Sequence, residues 1–108
     1  MESNEFNDLK INNKYLVSGS MDKSIIIYDV NNNFNQIKQI KDHTSYVWSV
    51  AFSNNNNYLV SGSYDKSIII YDVNNNFNKI KQIKDHTLAI TSIAFSNINI
   101  ELIIDMGN

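Results

Sequence analysis

The chain has 108 residues, room for one small domain that buries about two-thirds of its unfolded surface on folding, so a second full domain is excluded. Its nine basic residues are all Lys, against eleven acidic ones, and this balance argues against a nucleic-acid binder that works by neutralising phosphates. With no Cys, the chain has no disulfide framework, thiolate zinc site, iron–sulfur cluster or cysteine nucleophile.

Residues 1–13 open with MESNEFNDLK, which is polar and acidic where a secretory signal is basic and then apolar. No apolar run in the chain approaches the ~20 residues that span a bilayer, so the expectation is a soluble intracellular protein, cytoplasmic or nuclear, with no membrane contact. Residues 14–44 and 45–87 then form two units related by a shift of 43. Lys14–Thr44 lies over Asn57–Thr87, and only three of the 31 pairs differ: Lys14 with Asn57, Met21 with Tyr64 and Gln36 with Lys79. The match continues more weakly as YVWSVAFSN over AITSIAFSN. A fixed period of this size is the signature of a repeat architecture.

Within the second unit the spacing predicts four short strands. Tyr46 to Phe52 is the first, and Asn54 to Asn57 turns into Tyr58 to Gly62. Asp65 and Lys66 make a tight turn into Ser67 to Val73, where Ile68, Ile69, Ile70 and Tyr71 are continuously apolar. An unbroken apolar run implies a strand covered on both faces. Asn74 to Asn78 turns into Lys79 to Lys84, whose four polar residues suit an outer edge, where Lys discourages edge-to-edge pairing. Asn occurs 19 times in the chain, mostly as short spacers of this kind between apolar runs, and these tracts read as turns and not as a low-complexity segment. Residues 88–108 begin a third unit that degenerates after Ser96, with Ile104 and Asp105 where the pattern puts Ser and Gly. Before Lys14, only Phe6 and Leu9 are apolar where an inner strand is expected, so residues 1–13 are a polar extension or a degenerate strand.

Four strands per unit, with both sheet faces covered, describe one blade of a β-propeller. Asp42-His43-Thr44, then VWSVAFS, YLVSGSYDKSI and Tyr71-Asp72, resemble the WD-repeat β-propeller family, which opens a unit with Gly-His and closes its third strand with Trp-Asp. Asp42 and Asp85 depart from the usual Gly, and Tyr28 and Tyr71 from the usual Trp. The expected fold class is therefore all-β: antiparallel, four-stranded WD-type blades in a partial propeller of about two blades.

The resemblance implies a structural hydrogen-bond relay through His43, Ser61, Asp65 and Tyr71, matched in the preceding unit by Ser18, Asp22 and Tyr28 without a His. His43, Ser61 and Asp65 also have the residue types of a hydrolase triad. No nucleophile elbow or oxyanion loop accompanies them, so no catalytic residue is assigned. His43 and His86 lie a whole repeat apart and make no metal site. Gly19 and Gly62 mark a bulge or a close backbone approach and not a phosphate loop, so no cofactor is expected.

Trp48, Tyr46, Tyr64 and Met21 are large side chains of the kind that anchor interfaces, although Trp48, in a strand pattern common to the family, reads rather as core or ordinary packing. The resemblance places the loop before the first strand and the turn between strands two and three on one rim, the usual partner-binding face, which would include Met21, Lys23, Ser45, Tyr46, Tyr64, Lys66 and Leu88. A WD-type ring of even four blades needs about 160 residues, more than this chain has. Three explanations follow: assembly with copies of itself or with another incomplete propeller, a fragment of a longer or vestigial product, or a two-blade sandwich of marginal stability. The expected activity is that of a non-enzymatic protein-interaction module or scaffold piece with a protein partner.

Overall fold

Ile, Val and Tyr crowd Cβ and favour extended backbone, and Asn-rich spacers favour turns, so each 43-residue unit breaks into short antiparallel strands. The computed structural model describes residues 8–95 and 102–106. Its first sheet has the order β1 (Asp8–Ile11), β2 (Tyr15–Gly19), β3 (Ile25–Asp29), β4 (Asn35–Ile40). The second repeats it with β5 (Val47–Phe52), β6 (Tyr58–Ser63), β7 (Ile68–Asp72) and β8 (Asn78–Ile83). A two-stranded sheet of β9 (Ile90–Phe95) and β10 (Leu102–Met106) follows. Among the described residues no helix is long and apolar enough to cross a membrane.

Two strands lie at the ends, outside the part of the chain where the repeat is clear. Within residues 1–13, Asp8–Ile11 forms the inner strand of the first blade, paired with β2 through Asp8 with Gly19 and Ile11 with Leu16. Beyond Ser96, Leu102–Met106 pairs with β9 although it lacks the Ser-Gly signature, because backbone pairing needs only an extended, β-branched segment. Phe6 lies outside the described residues.

The triple Ile is buried on both sides. Ile69 joins Val17, Ile25, Ile27 and Ile40 of the first blade in one core, whereas Ile68 and Ile70 join Ile90 and Ile93 of β9 in another. At about 1.5–3 kcal/mol per buried aliphatic side chain, these two layers are the main favourable term in the fold. Each layer is held close by one glycine. A Cβ on Gly19 would lie 2.8 Å from Val47 Cγ1, and one on Gly62 would press into Ile90 and lie 2.8 Å from Ile93 Cδ1.

The close approach gives a direct expectation. Replacing Gly62 by Ala should destabilise the chain by about 1–3 kcal/mol through overpacking against β9, read as a lower urea midpoint. The control Asn55→Ala sits in an exposed turn, and loss of its hydrogen bonds to Ser53 and Asn57 should cost less.

Candidate functional site

His43 precedes β5, Ser61 is on β6 and Asp65 is in the turn after it, so antiparallel pairing brings all three to one end of the second blade. His43 Nδ1 lies 2.9 Å from Asp65 Oδ2, and Nε2 lies 2.7 Å from Ser61 Oγ. An ionised carboxylate only accepts, so Nδ1 carries the proton and Nε2 accepts from the Ser61 hydroxyl. Asp65 also accepts from the Thr44 N–H at 3.0 Å and from the Ser67 N–H at 2.9 Å and hydroxyl. Gln82 Nε2 donates to Ser67 Oγ at 3.1 Å, which carries the network to the edge strand.

Tyr71 takes a partner that the motif does not contain. Its hydroxyl donates to Asp42 Oδ2 at 3.2 Å. Both residues depart from the family pattern, and they meet each other. Trp in place of Tyr71 would need no carboxylate of this kind, and Gly in place of Asp42 would supply none. Burial, followed by the charge of Asp42, pushes the Tyr71 phenol far above its ordinary value and keeps it a donor.

Burial also pushes the His43 imidazole below its usual range, and the hydrogen bond and charge of Asp65 only partly oppose this. The contact between them at neutral pH is thus a hydrogen bond donated by a neutral ring to the Asp65 carboxylate. Burial works to raise the Asp65 carboxyl, but hydrogen bonds from Ser67, Thr44 and His43 outweigh it and hold it low.

The connectivity Ser61, His43, Asp65 is that of a hydrolase triad, but its setting is different. Ser61 exposes none of its surface and His43 only 4%, so a substrate carbonyl has no route to the oxygen. In the first blade the Asp22 carboxylate accepts from the Ser24 N–H and hydroxyl and the Asp22 N–H donates to Ser20 Oγ, and among the described residues no hydrogen bond connects Asp22 to Ser18 or Tyr28. Hydrogen bonding from Ser24 holds the Asp22 carboxyl below its usual value. Among the described residues no group of three His, Cys, Asp or Glu is arranged to hold a metal ion.

The rim above this network carries the other candidate residues. Strand direction puts the β2–β3 and β6–β7 turns and the loops before β5 and β9 at one end of the sheets. There Tyr64 meets Trp48 with ring centres 5.0 Å apart and nearly parallel, and Tyr46 at 5.5 Å. The Ser63 hydroxyl donates to the Tyr46 carbonyl at 2.7 Å, and the Tyr64 N–H to the same oxygen at 3.0 Å, which fixes the two aromatic segments together. The Val47 N–H reaches the Ser20 carbonyl of the first blade, so Met21 stands beside this cluster. Met21, Tyr64 and Leu88 are 40%, 42% and 43% exposed, Lys23 and Lys66 are exposed, and Ser45, Tyr46 and Trp48 are half-buried. Lys23 and Lys66 occupy left-handed backbone with φ of 75° and 71°, as the third residue of a tight hairpin turn.

Sequence reasoning did not find Asp42, Thr44, Ser67 or Gln82 as members of the network. The signal for Asp42 was present, since it stands at the Gly position that opens the unit whose Trp position holds Tyr71. The Asn-rich turns all lie at the opposite end, where Asn12, Asn13, Tyr15, Asn56, Asn57 and Asn74 are among the residues lining a cavity of about 300 Å³.

The family model for the WD domain, G-beta repeat, matches residues 7–29 and 34–72. No curated protein sequence matches the chain. Among solved structures, a chain in the crystal structure of the Mitotic Checkpoint Complex is similar with a TM-score of 0.84 and 25% identity over 94% of this chain. The RRP9 WD40 repeats give 0.85 and 22% over 96%, and the β-propeller domain of Cps50 (Swd1) from Myceliophteria thermophila gives 0.82 and 15% over 99%. The chain spans 32%, 33% and 34% of those three chains, about a third of each.

Two outcomes test the network. Ser61→Ala leaves the Nε2 acceptor of a buried ring without its donor, and should cost about 1–3 kcal/mol in a chemical denaturation curve. The second concerns pH. An unfolded His takes up its proton near pH 6.5, about its ordinary value, while His43 in the folded chain resists until lower pH, so below about 6.5 the unfolded state binds more protons and stability falls. The melting temperature should therefore drop from pH 7 to 5, and His43→Gln should flatten that drop. Asp65 and Asp22, whose folded values are also depressed, add their loss only below about pH 4.

Proposed function

Because the chain belongs to the WD domain, G-beta repeat family, we propose that it is a non-enzymatic protein-interaction module whose partner docks on the rim formed by the β2–β3 and β6–β7 turns and the loops before β5 and β9. The observation that carries this reading is the cluster of Tyr46, Trp48 and Tyr64, with Tyr64 42% exposed at its outer edge. Aromatic side chains held by neighbours lose little entropy on binding and bury a large area, which is why they dominate interface energetics.

The surroundings support the same reading. Met21, an adaptable apolar side chain, and the cations Lys23 and Lys66 border the cluster, giving an apolar centre with a charged margin. Met21, Lys23, Tyr64 and Lys66 lie on tight turns whose backbone is fixed by Ser20, Ser63 and their carbonyls, so the surface is preorganised. The buried Ser61 hydroxyl is spent on His43, and the network there is a staple for the blade. One similar chain comes from the crystal structure of the Mitotic Checkpoint Complex, an assembly, in keeping with a binding role for this fold.

Peptides selected from a displayed random library against the whole chain supply the test. Binders should lose about tenfold or more in affinity for Tyr64→Ala and for Met21→Lys, with circular dichroism unchanged. Asn13→Ser on the opposite rim should have no effect. Binders that ignore both rim substitutions, or that respond to Asn13→Ser, would overturn the assignment of the face.

A further inference from the structure

Eleven acidic residues against nine Lys make the chain acidic as a whole, yet the rim that carries the aromatic cluster spends its acids on itself. Asp22 and Asp65 stand at equivalent places in the β2–β3 and β6–β7 turns. Asp22 Oδ1 accepts the Ser24 N–H at 2.9 Å and the Ser24 hydroxyl, and the carboxyl is held low first by Ser24 and in lesser part by the charge of Lys41. Both Asp65 oxygens are engaged, Oδ1 by the Ser67 N–H and hydroxyl and Oδ2 by His43 Nδ1 and the Thr44 N–H. Asp42 Oδ2 takes the Tyr71 hydroxyl, and Asp85, exposed in the loop before β9, adjoins Lys84.

Lys23 and Lys66 are the opposite case. Each follows its Asp by one position and is exposed, and among the described residues neither ammonium has an ion-pair or hydrogen-bond partner. Their backbone favours another residue. With φ of 75° and 71°, both occupy the left-handed place that ends a three-residue hairpin loop, where Gly is relaxed and a residue with a Cβ is not. The turn needs only their N–H groups, which donate to the Ser20 and Ser63 carbonyls at 3.2 and 3.1 Å, and Gly would donate them equally well. What Lys adds is its ammonium, held out at the cost of some backbone strain, and strain of this kind gathers at ligand-binding positions.

One loop brings the two turns together. The Val47 N–H bonds to the Ser20 carbonyl at 3.0 Å, and the carbonyl of the preceding Tyr46 accepts the Tyr64 N–H at 3.0 Å. Both turns flank complete blades, so neither position depends on the ends of the chain. Met21 stands two residues before Lys23 and Tyr64 two before Lys66, 40% and 42% exposed, with the Tyr64 ring held against Trp48 and Tyr46. The surface thus pairs an apolar centre with two separate, unanswered cations. A lone ammonium is a point charge suited to a carboxylate, whereas phosphate is gripped best by the planar fork of Arg, of which the chain has none. Two cations are also few for a nucleic-acid backbone.

Taking this rim as the docking face, we propose that its partner is an acidic peptide segment, one aromatic or large aliphatic side chain laid against Met21 and Tyr64 with an Asp or Glu on either side of it paired to Lys23 and Lys66. The apolar contact supplies most of the affinity, and the charges fix register and speed encounter.

The sequences and affinities of peptides selected from a displayed random library on the whole chain decide the matter. The selected peptides should be enriched in Asp and Glu on both sides of a large apolar residue, and should bind several-fold more weakly when salt is raised from about 50 to about 500 mM. Substituting Lys23→Gly together with Lys66→Gly removes both ammoniums and relaxes both turns, so affinity should fall about tenfold or more with circular dichroism unchanged. Lys23→Asn with Lys66→Asn, which also suits left-handed backbone, should act alike, and Lys81→Gln on the outer strand β8 should have no effect. Peptides that are neutral or basic, or that lose affinity for Tyr64→Ala but keep it in both lysine variants, overturn this inference and leave the rim as the docking face. Peptides that ignore Tyr64→Ala, or a library that yields no binder, overturn both.

Discussion

Everything in this molecule depends on one joint, the stacking of an Ile- and Val-bearing sheet face onto the inner strand of the next sheet. A four-stranded sheet of this size is buried on neither face by itself, and the triple Ile of β7 would leave Ile69 on one side and Ile68 and Ile70 on the other in water. Covering both requires a neighbour on each side, which is why the sequence exists only as a repeat. Gly19 and Gly62 set the distance of the joint, because any side chain there would hold the next inner strand away and open the layer that the Ile residues fill.

Close stacking leaves polar groups buried beside the apolar ones, and the second blade deals with them in a self-contained way. Among the described residues every buried side-chain nitrogen and oxygen has a partner. The neutral His43 ring is held at both nitrogens, Asp65 gathers donors from three residues, and the Asp42 carboxylate meets the Tyr71 hydroxyl. That last pair shows two departures from a family pattern acting as one change. A phenol in the place of an indole needs an acceptor at its own reach, and the Asp that replaces Gly brings one. The first blade, with no His before β1 among the described residues, keeps only the local Ser20, Asp22 and Ser24 turn.

The strands of the second unit, the buried run of Ile and the edge position of the Lys-rich strand were all legible from alternation, turn residues and the period of 43. The first strand stayed open between a polar extension and a degenerate strand, for a geometric reason. Ile11 pairs with Leu16 and Phe52 with Leu59, so the turn after β1 is two residues shorter than the turn after β5, and a shift of 43 slides β1 out of register with its counterpart. β10 escaped because its pairing with β9 rests on backbone and not on the Ser-Gly signature. In the candidate site, His43, Ser61, Asp65 and Tyr71 could be read from the motif, whereas Ser67 and Gln82 could not, since their part depends on β7 and β8 pairing side by side. The stacking of Trp48 on Tyr64 was hidden for the same reason: the two are 16 positions apart and meet only once β5 and β6 pair.

Strand direction then sorts the side chains that the joint does not use. The turns after β1, β3, β5 and β7 carry most of the Asn, whose short amides bond to nearby groups and hold left-handed positions such as Asn56 and Asn76. That rim is occupied with its own backbone. The turns after β2 and β6 are closed instead by Ser and Asp from below, which frees their outer positions for Met21 and Tyr64 and lets Tyr46 and Trp48 lean against the latter. A surface whose turns are satisfied from beneath can expose aromatic side chains without any structural duty of their own. The two ends of one sheet thus differ because their turns draw hydrogen bonds from different sides, and the asymmetry follows from where Ser, Asp and Asn stand along each repeat.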